Sequence, residues 1–97
     1  MHFTISFDKR AIKDFHENIL YYETQQAELG KRFAKSVEKT LEFISKNPYF
    51  EIKYDDIRCL LVKKFPFRIH YRVDEKNKKI KVYAITHTSK SSQKFYL

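Results

Sequence analysis

Arg68, His70 and Arg72 occupy alternate positions of one short stretch of this chain, and Lys81, Tyr83 and His87 fall on alternate positions of another. In an extended backbone such residues share a face. Arginine forks match the geometry of phosphate or carboxylate, and the rings of His70 and Tyr83 are flat surfaces on which a base would stack. With Arg58 upstream, the residues Arg58, His70, Arg72, Lys81 and Tyr83 form a candidate anion- or target-binding set. Phosphodiester cleavage without a metal needs a group that activates a 2′-hydroxyl, cations for the developing charge and an acid for the leaving oxygen. Arg68, His87, Lys90 and Tyr96 are residues of the right types. A scattered His/Arg/Lys/Tyr set is weak by itself, because an ordinary solvated surface carries the same residues.

Other chemistries lack their residues. There is no Gly-rich phosphate loop, nucleophile elbow, zinc signature or paired-carboxylate arrangement, so neither a metal nor another cofactor is expected. His2 and His16 stand alone and read as surface or packing residues. The single cysteine, Cys59, has no internal partner, which fits a reducing cytoplasm. The N-terminus lacks the order of a signal peptide, and no apolar run approaches the ~18 residues of a membrane span.

The elements that must position these side chains follow from periodicity. Phe3, Ile5 and Phe7 alternate with polar residues as in a half-buried strand. Asp8 stands at a helix N-cap, and Ala11, Phe15, Ile19 and Tyr22 then mark one face of a helix over roughly residues 9–26. Gly30, the only glycine, separates that stripe from a second made of Phe33, Val37, Leu41 and Ile44. The pair reads as an antiparallel helical hairpin, with a single bent helix as the competing reading. Asn47-Pro48 ends the second helix. From residue 57 the period returns to two: a strand over 57–62, a loop at Lys63-Lys64-Phe65-Pro66, a strand through Phe67, Ile69, Tyr71 and Val73, a polar turn over 74–79, and a last strand through Ile80, Val82, Ala84 and Thr86.

Helices in one run and strands in another predict an α+β fold, βααβββ: an N-terminal strand, a helical hairpin and a three-stranded antiparallel meander, with the hairpin on one sheet face. Pairing Val73 with Ile80 sets Tyr71 opposite Val82, Ile69 opposite Ala84 and Phe67 opposite Thr86 on the apolar face. The reverse face then pairs Arg72 with Lys81, His70 with Tyr83 and Arg68 with Ile85, and brings His87 near Arg68. A slip of one residue would destroy this register. Like charges opposite each other gain nothing for the fold alone and make sense facing an anion.

At 97 residues the chain is a single domain, 1–97, with 89–97 the stretch that reads as loosely ordered. Its net charge is +8, unevenly placed: residues 1–48 hold eight Lys/Arg against seven Asp/Glu, and residues 49–97 hold twelve against five. The C-terminal half therefore attracts polyanions or an acidic protein.

Taken in order, several segments resemble the RelE/ParE superfamily of type II toxins: Tyr21-Tyr22, Leu29-Gly30-Lys31-Arg32-Phe33, Asn47-Pro48, Ile57-Arg58, the run from Lys64 to Val73, and Ala84-Ile85-Thr86-His87 followed by Lys90. The resemblance spans nearly the whole chain. It implies a toxin held inactive by an acidic-leaning cognate antitoxin that wraps the basic sheet face or the hairpin. Members similar to RelE cut messenger RNA on the ribosome, and Arg68, Lys90 and Tyr96 fall at their active-site places. Cys59 and Leu61 stand where those nucleases carry lysines, and Lys90 replaces a more usual arginine. Members similar to ParE inhibit DNA gyrase and have a long helical hairpin with the Tyr-Tyr and Leu-Gly-Lys-Arg-Phe features, which favours the gyrase reading here. A third reading is a non-toxic remnant that only binds antitoxin or nucleic acid.

Overall fold

A computed structural model describes residues 3–49 and 52–89, with backbone alone at 52–54. The elements are β1 (Thr4–Phe7), α1 (Lys9–Gln25), α2 (Leu29–Lys46), β2 (Ile52–Tyr54), β3 (Ile57–Leu61), β4 (Phe67–Asp74) and β5 (Lys79–His87). The five strands form one sheet in the order β1-β5-β4-β3-β2. β1 runs parallel to β5, and the other neighbours are antiparallel. The α+β class and the helical hairpin are as expected from sequence. The short β2 is an addition, because three residues with an irregular pairing to β3 leave no alternation to read.

Asp8 caps α1: its Oδ1 accepts the Arg10 N–H at 2.9 Å, while its own N–H donates to the Val82 carbonyl at 2.8 Å and ties the helix start to β5. The two helices form a true hairpin, and Gly30 decides how closely they approach. A Cβ at that position would sit 2.5 Å from the Ile19 carbonyl oxygen and 3.0 Å from Glu23 Oε1. Glu23 uses the same closeness, since its carboxylate accepts the N–H groups of Glu28 at 2.9 Å and Gly30 at 3.0 Å. Two of the donors that a helix start leaves without intrahelical partners are thereby satisfied by a carboxylate on the neighbouring helix.

The core lies between the hairpin and one sheet face. Phe33 is its hub, with ring centroids 5.1 Å from Tyr22, 5.3 Å from Phe65 and 5.2 Å from Phe67. Val37 and Ile44 from α2, Ala11 from α1, and Ile69, Tyr71, Ile80 and Val82 from the sheet complete it. The Tyr71 hydroxyl, carried into this apolar layer, donates to the Pro48 carbonyl at 3.0 Å. Each Val, Ile or Phe side chain so buried contributes about 1.5–3 kcal/mol.

The β4–β5 register agrees with the sequence expectation at one end and departs from it at the other. Val73 pairs with Ile80, Arg72 with Lys81 and Tyr71 with Val82, but His70 then pairs with Ala84, Ile69 with Ile85, Arg68 with Thr86 and Phe67 with His87. Tyr83 is the extra residue of a β-bulge. Strict alternation would have set Ile85 on the reverse face and given the core an alanine. The bulge exchanges them and buries the larger side chain under the helices, beside Ala11, Phe15 and Val37. Beside this interruption the Asp14 carboxylate on α1 accepts the Ile85 N–H at 3.1 Å.

Candidate functional site

Arg68, His70 and Arg72 point away from the helices, because Phe67, Ile69 and Tyr71 between them fill the core. The reverse face they share divides at the bulge. Toward the β4–β5 turn, the Tyr83 ring has the Arg72 guanidinium 5.3 Å from its centroid and the Lys81 ammonium at 5.4 Å. Arg72 also donates to the Tyr83 hydroxyl at 3.3 Å and forms an ion pair with Asp56. The Asp56 bond, followed by that to Tyr83, holds the Arg72 pKa above its ordinary value. The facing cations are therefore reconciled by an aromatic ring and a carboxylate from the turn before β3. Sequence reasoning missed Asp56, although its place just ahead of the strand that pairs with β4 was the available signal.

Away from the turn the same face is closed. His70 is 3% exposed, so it does not offer the stacking surface expected of it. Its Nδ1 lies 3.2 Å from the Cys59 sulfur and its Nε2 2.7 Å from the Thr86 hydroxyl. Burial, and secondarily the charge of Arg68, pushes its pKa down to about 4, so the ring is neutral at neutral pH. Arg68 is half-buried between Leu61 on β3 and Thr86 on β5.

The remaining candidates are not gathered there. His87 pairs with Phe67 and so lies on the opposite side from Arg68, its ring 5.2 Å from that of Phe67. The bulge reverses its side relative to expectation, and its Nδ1 accepts the Ser89 N–H at 3.0 Å. Arg58 pairs with Tyr71, which puts it on the helix side of the sheet, its guanidinium 5.4 Å from the centre of the Tyr49 ring. Lys90, Tyr96, His2 and the 90–97 part of the expected loose tail lie outside the described residues. Among the described residues no group of three His, Cys, Asp or Glu side chains is placed to hold a metal ion, and no helix is long and apolar enough to cross a membrane.

The family model for the ParE toxin of type II toxin–antitoxin systems, parDE, matches residues 5–91. The chain belongs to this toxin family. Solved structures agree on the fold. The chromosomal ParDE system of P. aeruginosa contains a chain that superposes with a TM-score of 0.75 at 15% identity, over 89% of this toxin and 96% of that chain. The isolated E. coli RelE toxin gives 0.67 at 18% identity, over 93% and 88%, and the intact E. coli RelBE complex 0.66 at 18%, over 88% and 95%. No curated protein sequence matches the toxin significantly. It is thus a type II toxin of the ParE/RelE superfamily, and both branches share its architecture.

Proposed function

We propose that this toxin arrests growth by binding and blocking DNA gyrase, without cutting RNA, and that a cognate antitoxin encoded beside it keeps it inactive. One observation carries the choice. Arg68, the arginine at the nuclease position, has Leu61 and Thr86 as its strand neighbours, and His87 is turned to the other side of the sheet. Among the described residues no general base and no second cation stands beside it on that face, and the one histidine that does share the face is buried and neutral. Among the described residues, then, Arg68 has no neighbour for positioned proton transfer or charge neutralisation, the two main requirements of metal-free RNA cleavage, while Lys90 and Tyr96 lie outside them. The antitoxin follows from the family and from relatives solved as ParDE and RelBE complexes.

The test is direct. Purified toxin is expected to inhibit supercoiling by gyrase in vitro, to leave ribosome-bound messages uncut, and to lose both toxicity and gyrase inhibition when its neighbour-encoded antitoxin is added. Arg68→Ala is expected to change gyrase inhibition by less than about threefold, the scale of a surface charge contact. A hundredfold loss of toxicity in Arg68→Ala, with translation stopping before DNA replication, would instead establish the ribosome-dependent nuclease. Absence of any growth defect on induction without the antitoxin would mark a non-toxic remnant.

A further inference from the structure

A second cationic surface lies on the helix side of the molecule, where α2 meets the β3–β4 loop. Leu29, Arg32, Lys35 and Ser36 from α2 and Lys64 and Phe65 from the loop line a concavity of about 480 Å³. All three of its cations are exposed, and no acidic residue lines it. Among the described residues, Arg32, Lys35 and Lys64 make no side-chain hydrogen bond or ion pair. Two other cations of α2 are matched, Lys31 to Glu28 at 3.9 Å and Lys46 to Glu42 at 3.3 Å.

Two features fix the shape of this site. Phe65 is held by Tyr22 and Phe33, with centroids 5.1 and 5.3 Å away, which anchors the loop to the core. Lys64 adopts a left-handed backbone, φ 71°, a conformation that costs a non-glycine residue free energy and is kept only where its surroundings over-determine it. The loop carries Lys64 to the same concavity as Arg32 and Lys35.

The geometry points to a binding site for the phosphodiester backbone of a nucleic acid, held by Arg32, Lys35 and Lys64 with the Ser36 hydroxyl as an additional donor. Three uncompensated charges around one concavity call for more than one negative charge. Successive phosphates supply that, whereas a lone carboxylate does not. This inference goes beyond the proposed target: a gyrase-blocking and a ribosome-directed toxin would both use it, and its failure would leave the supercoiling result standing.

The experiment measures fluorescence anisotropy of labelled 20-nucleotide DNA and RNA strands of one sequence with the full-length toxin. The triple variant Arg32→Gln/Lys35→Gln/Lys64→Asn keeps a residue tolerant of the left-handed conformation at 64. It is compared with the charge-matched control Lys31→Gln/Lys46→Gln/Lys78→Gln, whose three lysines are each paired with a glutamate. The triple variant is expected to bind at least about 30-fold more weakly at low salt, and the slope of log affinity against log salt to fall by about 2, as for three lost phosphate contacts on a single strand. The control is expected to lose less than about threefold. Preference for one strand type over the other in the parent but not in the triple variant identifies which nucleic acid the site serves. Equal losses in the two variants would reduce the effect to net charge and overturn the site. Tighter binding of poly-glutamate than of either strand, abolished by the same substitutions, would overturn the ligand in favour of an acidic protein. If the triple variant does not fold, Lys35→Gln alone carries the test, with an expected loss of about three- to fivefold.

Discussion

The reverse sheet face and the hollow beside α2 both carry three or more basic residues within a small area, yet the molecule treats them in opposite ways. On the sheet face two of the three cations are engaged, Arg72 with Asp56 and Tyr83 and Lys81 over the same ring, while Arg68 is half-buried and the neighbouring imidazole of His70 is buried and neutral. At the hollow, Arg32, Lys35 and Lys64 surround open space with no carboxylate among the lining residues. Electrostatic attraction for a polyanion depends on the charge left after internal pairing, so density of Lys and Arg along the sequence is a poor guide to where an anion binds. The C-terminal half holds most of the net charge, but two of the three unmatched cations of the hollow belong to α2, in the nearly neutral half.

The largest expected effect tests whether the sheet face is closed around His70. Its pKa is pushed down to about 4 from an ordinary 6.5, so between those values the folded protein binds fewer protons than the unfolded chain. The stability contributed by the neutral ring is complete above pH 6.5 and is lost as pH falls through 4. Going from pH 7 to pH 4, thermal or denaturant unfolding of the parent should lose on the order of 3 kcal/mol more than that of His70→Gln. Parallel curves for the two proteins would mean that the ring is open to water and that this face is as available as the hollow.

Gly30→Ala should come next, because the added methyl meets a backbone oxygen of α1 that has no freedom to move aside. A loss of about 2–3 kcal/mol is expected in equilibrium unfolding. Oligonucleotide binding should fall with it, since Arg32 and Lys35 are carried on the displaced helix, while the Arg72 cluster stays intact. Loss of the Asp8 cap by Asp8→Ala should cost about 1 kcal/mol. That change should spare both surfaces, and it serves as the reference for destabilisation unrelated to either.

The smallest effect sharpens the contrast most directly. Asp56→Asn removes the carboxylate that neutralises Arg72, at a stability cost under about 1 kcal/mol for so exposed a pair. It should raise affinity for an oligonucleotide by about twofold by releasing one cation on the sheet face. A tenfold gain would show that this face is the dominant anion surface and that internal pairing was all that restrained it.

Much of the fold was legible because its elements announce themselves locally. The stripes Ala11, Phe15, Ile19, Tyr22 and Phe33, Val37, Leu41, Ile44 sort core from solvent for two helices, and Gly30 with Asn47-Pro48 separates and ends them. The alternation around Arg68, His70 and Arg72 likewise fixed which side of β4 faces away from the helices. The site was legible only up to the bulge. Alternation assumes an unbroken period of two, and the extra residue at Tyr83 shifts everything after it, so His87 left the face assigned to it. Arg58 was separated from the other arginines for a different reason: the pairing of β3 with β4, Arg58 against Tyr71, cannot be read from either strand alone.

Sequence by itself determined the α+β class, the helical hairpin, the family and the outward side of the β4 arginines, because each depends on short-range periodicity or on residues adjacent in the chain. Only the tertiary structure decided that Arg72 is already paired with Asp56, that His70 is sealed between Cys59 and Thr86, and that α2 and a distant loop enclose an open basic hollow. Those properties arise where segments far apart in sequence meet. Charge pairing and desolvation are set by distances of a few ångströms that no local pattern encodes.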